Sequence, residues 1–288
     1  MSSSGKTLRE LITLAAGFMD SKGVPDSLTV SELLAARLFS CDRSGLHRCF
    51  ESVPSERVVE AFRRGLKRVV AGEPVQYVLG EWDFRLLTLK TDRRALIPRP
   101  ETEQLVDLVL KSTSAALPKP VVIDVGTGSG CIILSLAKEM RDGIFVGLDI
   151  SEDALSLAAE NARLTGLEGK VLFAHSDGCG EMDAASVDIL VSNPPYIPTL
   201  TVDALDPRIR DHEPRLALDG GADGLDVYRA LLTDATMVLK PGGELFFEIG
   251  DDQGRAMAAM LEDFGFVDIA ILKDYSGRDR FATATQGV

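Results

Sequence analysis

From Val121 onward the chain keeps one rhythm: a short apolar run, a turn rich in glycine or aspartate, then about ten residues with helical spacing. The strand-like runs cover 121–125, 144–148, 171–174, the stretch from Val187 that stops at Asn193, and 244–249. Helical spacing covers 131–140, a stretch N-capped by Ser151 with Leu155, Ala158, Ala159 and Ala162, then 224–239 and 253–264. Parallel strands need a crossover between them, and runs that are apolar throughout need cover on both faces. Alternation of this length therefore predicts an α/β fold with a mostly parallel, doubly covered sheet. Two last runs, 267–272 and 280–285, face each other across Ser276-Gly277 and read as a closing hairpin that adds an antiparallel edge.

The first part of the chain has a different period. Leu8, Leu11, Ile12 and Ala15 fall at i, i+3, i+4 and i+7, the stripe of an amphipathic helix. A second helix is expected from Ser31 with Leu33, Leu34 and Leu38. A third, from Ser55, carries Val58, Val59, Phe62, Leu66, Val69 and Val70 on one side and Arg57, Arg64 and Arg68 on another. Trp82, Phe84 and Leu86 alternate around Gly80, so 76–90 reads as a β-hairpin. The prolines of Ile97-Pro98-Arg99-Pro100-Glu101-Thr102-Glu103 then force an extended path before a helix with Leu105, Leu108 and Val109, and Arg99 with Glu101 reads as a structural pair. The resulting division is a helical bundle at 1–75, a linking hairpin at 76–95 and the sheet domain at 96–288.

With 288 residues, 45% hydrophobic and 26% charged, there is enough chain for two such domains, each with a core. The cysteines Cys41, Cys49, Cys131 and Cys179 form no CxxC pair and no metal-ligand spacing, and the start lacks an apolar leader. A reduced, cytoplasmic protein without a metal or a membrane span is expected. The net charge of −13 argues against a large phosphate-neutralising surface. Residues 1–75 nevertheless hold 11 Lys and Arg against 9 Asp and Glu, a balance of +2 that leaves −15 for the rest. The helical part is thus the better docking surface for an acidic partner, and the sheet domain suits a cationic cofactor.

Two turns carry chemistry. In Val187-Asp188-Ile189-Leu190-Val191-Ser192-Asn193-Pro194-Pro195-Tyr196 a buried strand stops at two prolines. Their fixed φ angles make a rigid corner that offers the Asn193 side chain and the Pro194 carbonyl at the carboxyl edge, where open α/β sheets bind ligands. Two acceptors on a stiff turn suit a planar group bearing an NH₂. In Asp124-Val125-Gly126-Thr127-Gly128-Ser129-Gly130 the glycines let the backbone approach a ligand closely, and Asp149, ending the next strand, can accept both hydroxyls of an adenosine ribose. The spacing is GxGxG rather than the GxGxxG of nicotinamide dinucleotide sites, and the acidic residue ahead of it suits S-adenosylmethionine, which carries an ammonium and a sulfonium.

Gly126–Gly130, Asp149 and the NPPY of 193–196 resemble class I methyltransferases that modify amino groups on planar systems. The stretches IPRPETE (97–103), GEPVQYVLG (72–80), EPRLALDGGADGL (213–225) and RFATA (280–284) narrow the resemblance to the release-factor glutamine methyltransferases. That family methylates the side-chain amide nitrogen of the glutamine in the GGQ loop of peptide-chain release factors, and has a seven-stranded sheet behind a small helical domain. The resemblance implies S-adenosylmethionine binding by Gly126, Thr127, Gly128, Ser129, Gly130, Asp149, Asp177, Gly178 and Asn193. It implies that Asn193, Pro194, Pro195 and Tyr196 hold the glutamine, with Asn193, Pro194 and Tyr196 as the catalytic set. Gly178 stands where relatives often carry a tryptophan or another large residue against the adenine, and His212 where an aromatic is commoner. A monomer that forms no stable complex with nucleic acid is expected.

An amide nitrogen is a poor nucleophile because its lone pair is delocalised into the carbonyl. Two acceptors, Asn193 Oδ1 and the Pro194 carbonyl, would localise that pair and aim it, and such positioning supplies several kcal/mol, roughly up to 7–11 in ideal cases. The main alternative is a nucleic-acid adenine or guanine exocyclic-amine methyltransferase, which would use the same turn but needs a basic module and base extrusion. A nicotinamide-dependent oxidoreductase and a non-enzymatic binding module are weaker alternatives, because neither explains the NPPY corner.

Overall fold

The computed structural model describes residues 5–287 and divides into two compact units, one built on the chain up to Gly80 with Pro207–His212, the other on Glu81–Asp206 and the chain from Glu213. In the first, α1 (Leu8–Asp20), α2 (Ser27–Leu38), α3 (Glu56–Val70) and α4 (Val75–Leu79) surround a core that includes Ile12, Met19, Leu34, Phe62 and Leu66. Thr7 and Glu10 cap α1 reciprocally: the Thr7 N–H donates to Glu10 Oε2 at 2.8 Å and the Glu10 N–H to Thr7 Oγ1 at 3.3 Å. The second helix begins at Ser27, one turn before the expected Ser31. Ser31 is no cap; its hydroxyl donates back to the Ser27 carbonyl at 2.8 Å, inside the helix.

Residues 75–79 are also helical rather than strand. Gly80, at φ +75°, is the left-handed residue that ends this turn, so the hairpin starts at residue 81 instead of 76 and belongs to the second unit. It consists of β1 (Glu81–Phe84) and β2 (Leu87–Lys90), with Trp82 opposite Leu89.

The second unit continues with α5 (Pro100–Leu110), β3 (Val121–Val125), α6 (Cys131–Glu139), β4 (Ile144–Asp149), α7 (Glu152–Leu164), β5 (Val171–His175) and β6 (Val187–Ser192). Short helical turns follow at α8 (Thr199–Val202) and α9 (Pro207–Arg210, part of the first unit), then α10 (Asp226–Val238), β7 (Leu239–Glu248), α11 (Gly254–Asp263), β8 (Phe266–Lys273) and β9 (Asp279–Gln286). The sheet order is β5-β4-β3-β6-β7-β9-β8; pairs from β5 to β7 are parallel, and β9 runs antiparallel to both neighbours.

The period of two along each strand sorts side chains onto the two faces. Val122, Ile189, Val191 and Phe246 join the cluster containing Leu105, Val106 and Val109 of α5 and Ile133 of α6. Ile123, Leu190, Leu245 and Phe247 join that of Tyr228, Leu231 and Leu232 of α10 and Met257 of α11. The chain winds outward from β3 to β5 and then returns to lay β6 on the other side of β3. That reversal opens a crevice at the carboxyl ends of β3 and β6. Among the described residues no helix is long and apolar enough to cross a membrane, and no group of three or more His, Cys, Asp or Glu side chains could hold a metal ion.

Candidate active site

The crevice holds a cavity of about 430 Å³. Its floor is the loop after β3, where Gly126 and Gly128 lie at φ +73° and +57°, a backbone region that a side chain would strain. The loop is tied to the end of β4: the Gly128 N–H donates to Asp149 Oδ2 at 2.8 Å and the Ser151 N–H to Asp149 Oδ1 at 2.9 Å. Each oxygen of that carboxylate keeps a further lone pair for a ligand hydroxyl. Burial raises the Asp149 pKa, which these backbone donors offset in part. Behind the loop, fully buried Asp124 accepts from Thr127 Oγ1 at 2.7 Å through Oδ2, while its Oδ1 has no hydrogen-bond partner. Burial above all, with the nearby Asp149 charge, pushes the Asp124 carboxyl up to about 7. Buried anionic capacity with an unmet acceptor fits a ligand carrying positive charge. Ile150, Val227, Ala230 and Leu231 give the cavity an apolar wall beside Ser176 and Asp177.

At the carboxyl end of the neighbouring strand stands the corner after β6. Ser192 is fully buried and its hydroxyl donates to the Val125 carbonyl at 2.6 Å, locking the ends of β3 and β6 together. Asn193, Pro194 and Pro195 then line the cavity. The Asn193 amide is held by one visible bond, Nδ2 donating to Thr102 Oγ1 at 3.2 Å. Oδ1 is therefore the amide atom left to accept from a ligand. Thr102 in turn donates to Glu248 Oε2 at 2.7 Å, and both residues are buried.

Residues 10–80 match the family model for the PrmC N-terminal domain, and residues 102–209 that for the Methyltransferase small domain. Over 279 residues the chain is 37% identical to a release factor glutamine methyltransferase of Geobacter sulfurreducens, covering 95% of each. It is 42% identical over 218 residues to a release factor glutamine methyltransferase of Caulobacter vibrioides, covering 75% of this chain and 74% of that one. The chain belongs to the release factor glutamine methyltransferase family. Solved structures share its fold: the catalytic domain of hMettl16 at TM-score 0.57 and 16% identity, over 76% of this chain and 81% of that one, and a methyltransferase from Pyrococcus furiosus at TM-score 0.52 and 18% identity, over 70% and 90%. The sheet is that of a class I methyltransferase.

Gly126, Thr127, Gly128, Ser129, Asp149, Asp177, Asn193, Pro194 and Pro195 all line the cavity of this family member; Gly130, Gly178 and Tyr196 do not. Gly130 is the left-handed residue before α6, where a Cβ would press within 3.0 Å of Leu134 and 3.3 Å of Ala158, so it serves close packing. Gly178 sits against Asp234 of α10, whose Oδ2 accepts the N–H groups of Cys179 and Gly180, both at 2.9 Å. The Tyr196 ring packs on the core cluster around Tyr228 rather than over the cavity. Its carbonyl accepts from Gln253 Nε2 at 3.0 Å, and burial pushes its hydroxyl up to about 12. His212 falls in the helical unit, beside Gly72.

Sequence reasoning missed Thr102, Glu248 and Glu213 as site residues. The partner of Arg99 is Glu213, at 2.5 Å, not Glu101, and Glu213 also accepts the Ile97 N–H at 3.1 Å, fixing the cavity wall at 97–99. A carboxylate inside the apolar run Leu245-Phe246-Phe247-Glu248-Ile249 was the one available signal, because a buried charge in a strand needs a purpose.

Proposed function

We propose that this protein transfers a methyl group from S-adenosylmethionine to the side-chain amide nitrogen of the glutamine in the GGQ loop of peptide-chain release factors, acting as a monomer and without stable binding to nucleic acid. The observation that carries this reading is the Asn193 amide, pinned through Nδ2 with Oδ1 left to accept in the cavity that the glycine loop also lines. When bound, S-adenosylmethionine supplies a methyl group on a positively charged sulfur. Asp149 would accept the ribose hydroxyls with its remaining lone pairs, Ile150, Val227 and Leu231 would take the flat purine, and Asp124, buried behind the loop, would favour the cationic end through its charge.

Asn193 Oδ1 and the Pro194 carbonyl each accept one N–H of the glutamine amide. Held by both hydrogens, the nitrogen tilts its lone pair out of conjugation and toward the methyl carbon. Transfer would form the N–C bond as the S–C bond breaks, leaving S-adenosylhomocysteine, and the proton lost by the nitrogen would pass to solvent water. Tyr196 braces the corner from the core side. The direct test is to incubate the full-length protein and methyl-labelled cofactor with intact release factor, and separately with bare RNA and DNA. Label in the release factor alone supports the proposal; label in nucleic acid with none in the protein overturns it in favour of base methylation.

Two expected results follow from this arrangement. Asp149→Ala removes a charged acceptor from two hydroxyls, each such bond being worth roughly 1.5–3 kcal/mol, so cofactor affinity should fall by at least about tenfold in calorimetry. Unchanged affinity would remove Asp149 from the site. Arg57 and Arg64 are exposed on α3, in the more basic part of the chain. Reversing both to Glu should raise KM for intact release factor several-fold, about 0.2–1 kcal/mol per exposed contact, and leave cofactor affinity unchanged. An unaltered KM would mean that this face is solvated surface only.

A further inference from the structure

Asn193 works as an acceptor only if its amide is held one way round, because a half-turn about the last side-chain bond exchanges Oδ1 for an NH₂. What selects the rotamer is the hydroxyl behind it. Thr102 has a single proton and gives it to Glu248 Oε2 at 2.7 Å, so the side of Thr102 Oγ1 that meets Asn193 Nδ2, at 3.2 Å, is a lone pair. We propose that Thr102 and Glu248 are positioning residues of the methyl transfer: the carboxylate at the end of β7 sets the direction of a hydrogen-bond relay that keeps Asn193 Oδ1 turned toward the substrate amide. The inference rests on the role given to Asn193 above.

The relay has a built-in proton dependence. Glu248 is 2% exposed and its backbone carbonyl accepts from Tyr228 Oη at 2.6 Å. The charged and titratable groups around its carboxylate are Arg280 of β9, Arg99 just before α5, Glu101 of α5, the phenols Tyr196 and Tyr228, and the Cys131 thiol. Burial pushes the Glu248 carboxyl up to about 7; the Thr102 hydroxyl and the two arginines hold it down, and Glu101 adds to the rise. With a proton on Glu248 the relay can run the other way. The carboxylic acid then donates to Thr102, the threonine hydroxyl turns its proton toward Asn193, and the amide accepts it with Oδ1 while showing NH₂ to the substrate NH₂. Donor then faces donor, and the nitrogen is no longer aimed. The one covalent change in this step is the O–H bond that a proton from solvent makes to the Glu248 carboxylate; everything else is an exchange of hydrogen bonds. Because the ionised form is the competent one, activity is present above the Glu248 pKa and lost as pH falls through it.

The experiment is single-turnover transfer by the full chain to intact release factor, at saturating cofactor, measured on both sides of pH 7 with cofactor titration alongside. With cofactor kept saturating at every pH, because protonation of Asp124 weakens its binding on the acid side, the wild-type rate should fall there with a midpoint near the Glu248 value of about 7. Glu248→Gln, uncharged at every pH, should flatten that profile. Thr102→Val keeps the shape but not the hydroxyl and should slow transfer by about tenfold or more, with Thr102→Ser restoring it. A wild-type rate that stays level through pH 7 overturns the relay with no variant needed, and so does an acid fall that persists in Glu248→Gln. Asn193→Ala separates the layers. If it transfers normally, the role of Asn193 fails; if it is slow while Thr102→Val matches wild type, the relay alone fails.

Discussion

Replacing Asn193 by Ala should slow methyl transfer to a release factor by about two or more powers of ten, the loss seen when one preorganised polar group is removed from an active site. Cofactor affinity should change far less, because the loop at Gly126–Gly130 and Asp149 belong to other strand ends and keep their own bonds, Gly128 to Asp149 among them. The split between the two readouts is the informative part: a variant that lost both in proportion would point to collapse of the crevice. Asn193→Asp is no safe substitute. Its carboxylate could accept the amide hydrogen, but it lacks the NH₂ that meets Thr102 and would add a charge near the methyl donor's cationic sulfur, so the cofactor's pose should change.

The second large effect should come from a residue that need never touch a ligand. A Cβ built on Gly220 would lie 2.6 Å from the Pro195 carbonyl oxygen, 2.8 Å from Tyr196 Cα and 2.9 Å from the Gly224 carbonyl oxygen. All three are backbone atoms, and none can rotate away. The segment is also fastened at both ends of that contact, with the Gly220 N–H donating to the Ile197 carbonyl at 2.9 Å and the Asp226 N–H to the Gly220 carbonyl at 3.1 Å. Gly220→Ala must therefore move the Asn193-Pro194-Pro195-Tyr196 corner. A misplacement on the order of 1 Å costs about 100-fold in a positioned reaction, and overpacking of this kind destabilises by roughly 1–3 kcal/mol. Single-turnover transfer should drop by about that factor in protein that still titrates with cofactor. Transfer at the wild-type rate would show that the corner tolerates displacement.

What the sequence disclosed and what it hid follow from range. The parallel sheet was legible because each β and α unit declares its own period within ten residues, and the glycine loop, Asp149 and the NPPY corner were legible because each is a local turn at the end of such a strand. Side-chain aim was not. Whether Tyr196 covers the cavity or the core depends on Gln253, which holds its carbonyl from 57 positions away, and whether Gly178 faces a ligand depends on Asp234. The bonds that set the Asn193 amide, Asn193 to Thr102 and Thr102 to Glu248, span 91 and 146 positions, beyond any local pattern. Residues 197–225 hid for another reason. Pro198, Pro207 and Pro214 break every period there, so α8, α9 and the turn at Arg215–Ala217 gave no repeating signal. Around Gly80 the alternation of Trp82 and Phe84 concealed the one-turn helix before it, since a left-handed glycine ends a helix as readily as it bends a strand.

The central claim is that the corner after β6 presents one glutamine side-chain amide to the methyl donor. Fragment mass spectrometry of intact release factor, after reaction with this protein and methyl-labelled S-adenosylmethionine, tests it most directly. The account predicts one added methyl group, on the side-chain nitrogen of the GGQ glutamine, and none when that glutamine is replaced by alanine. Methyl groups on other residues while the GGQ glutamine remains unmodified would contradict it.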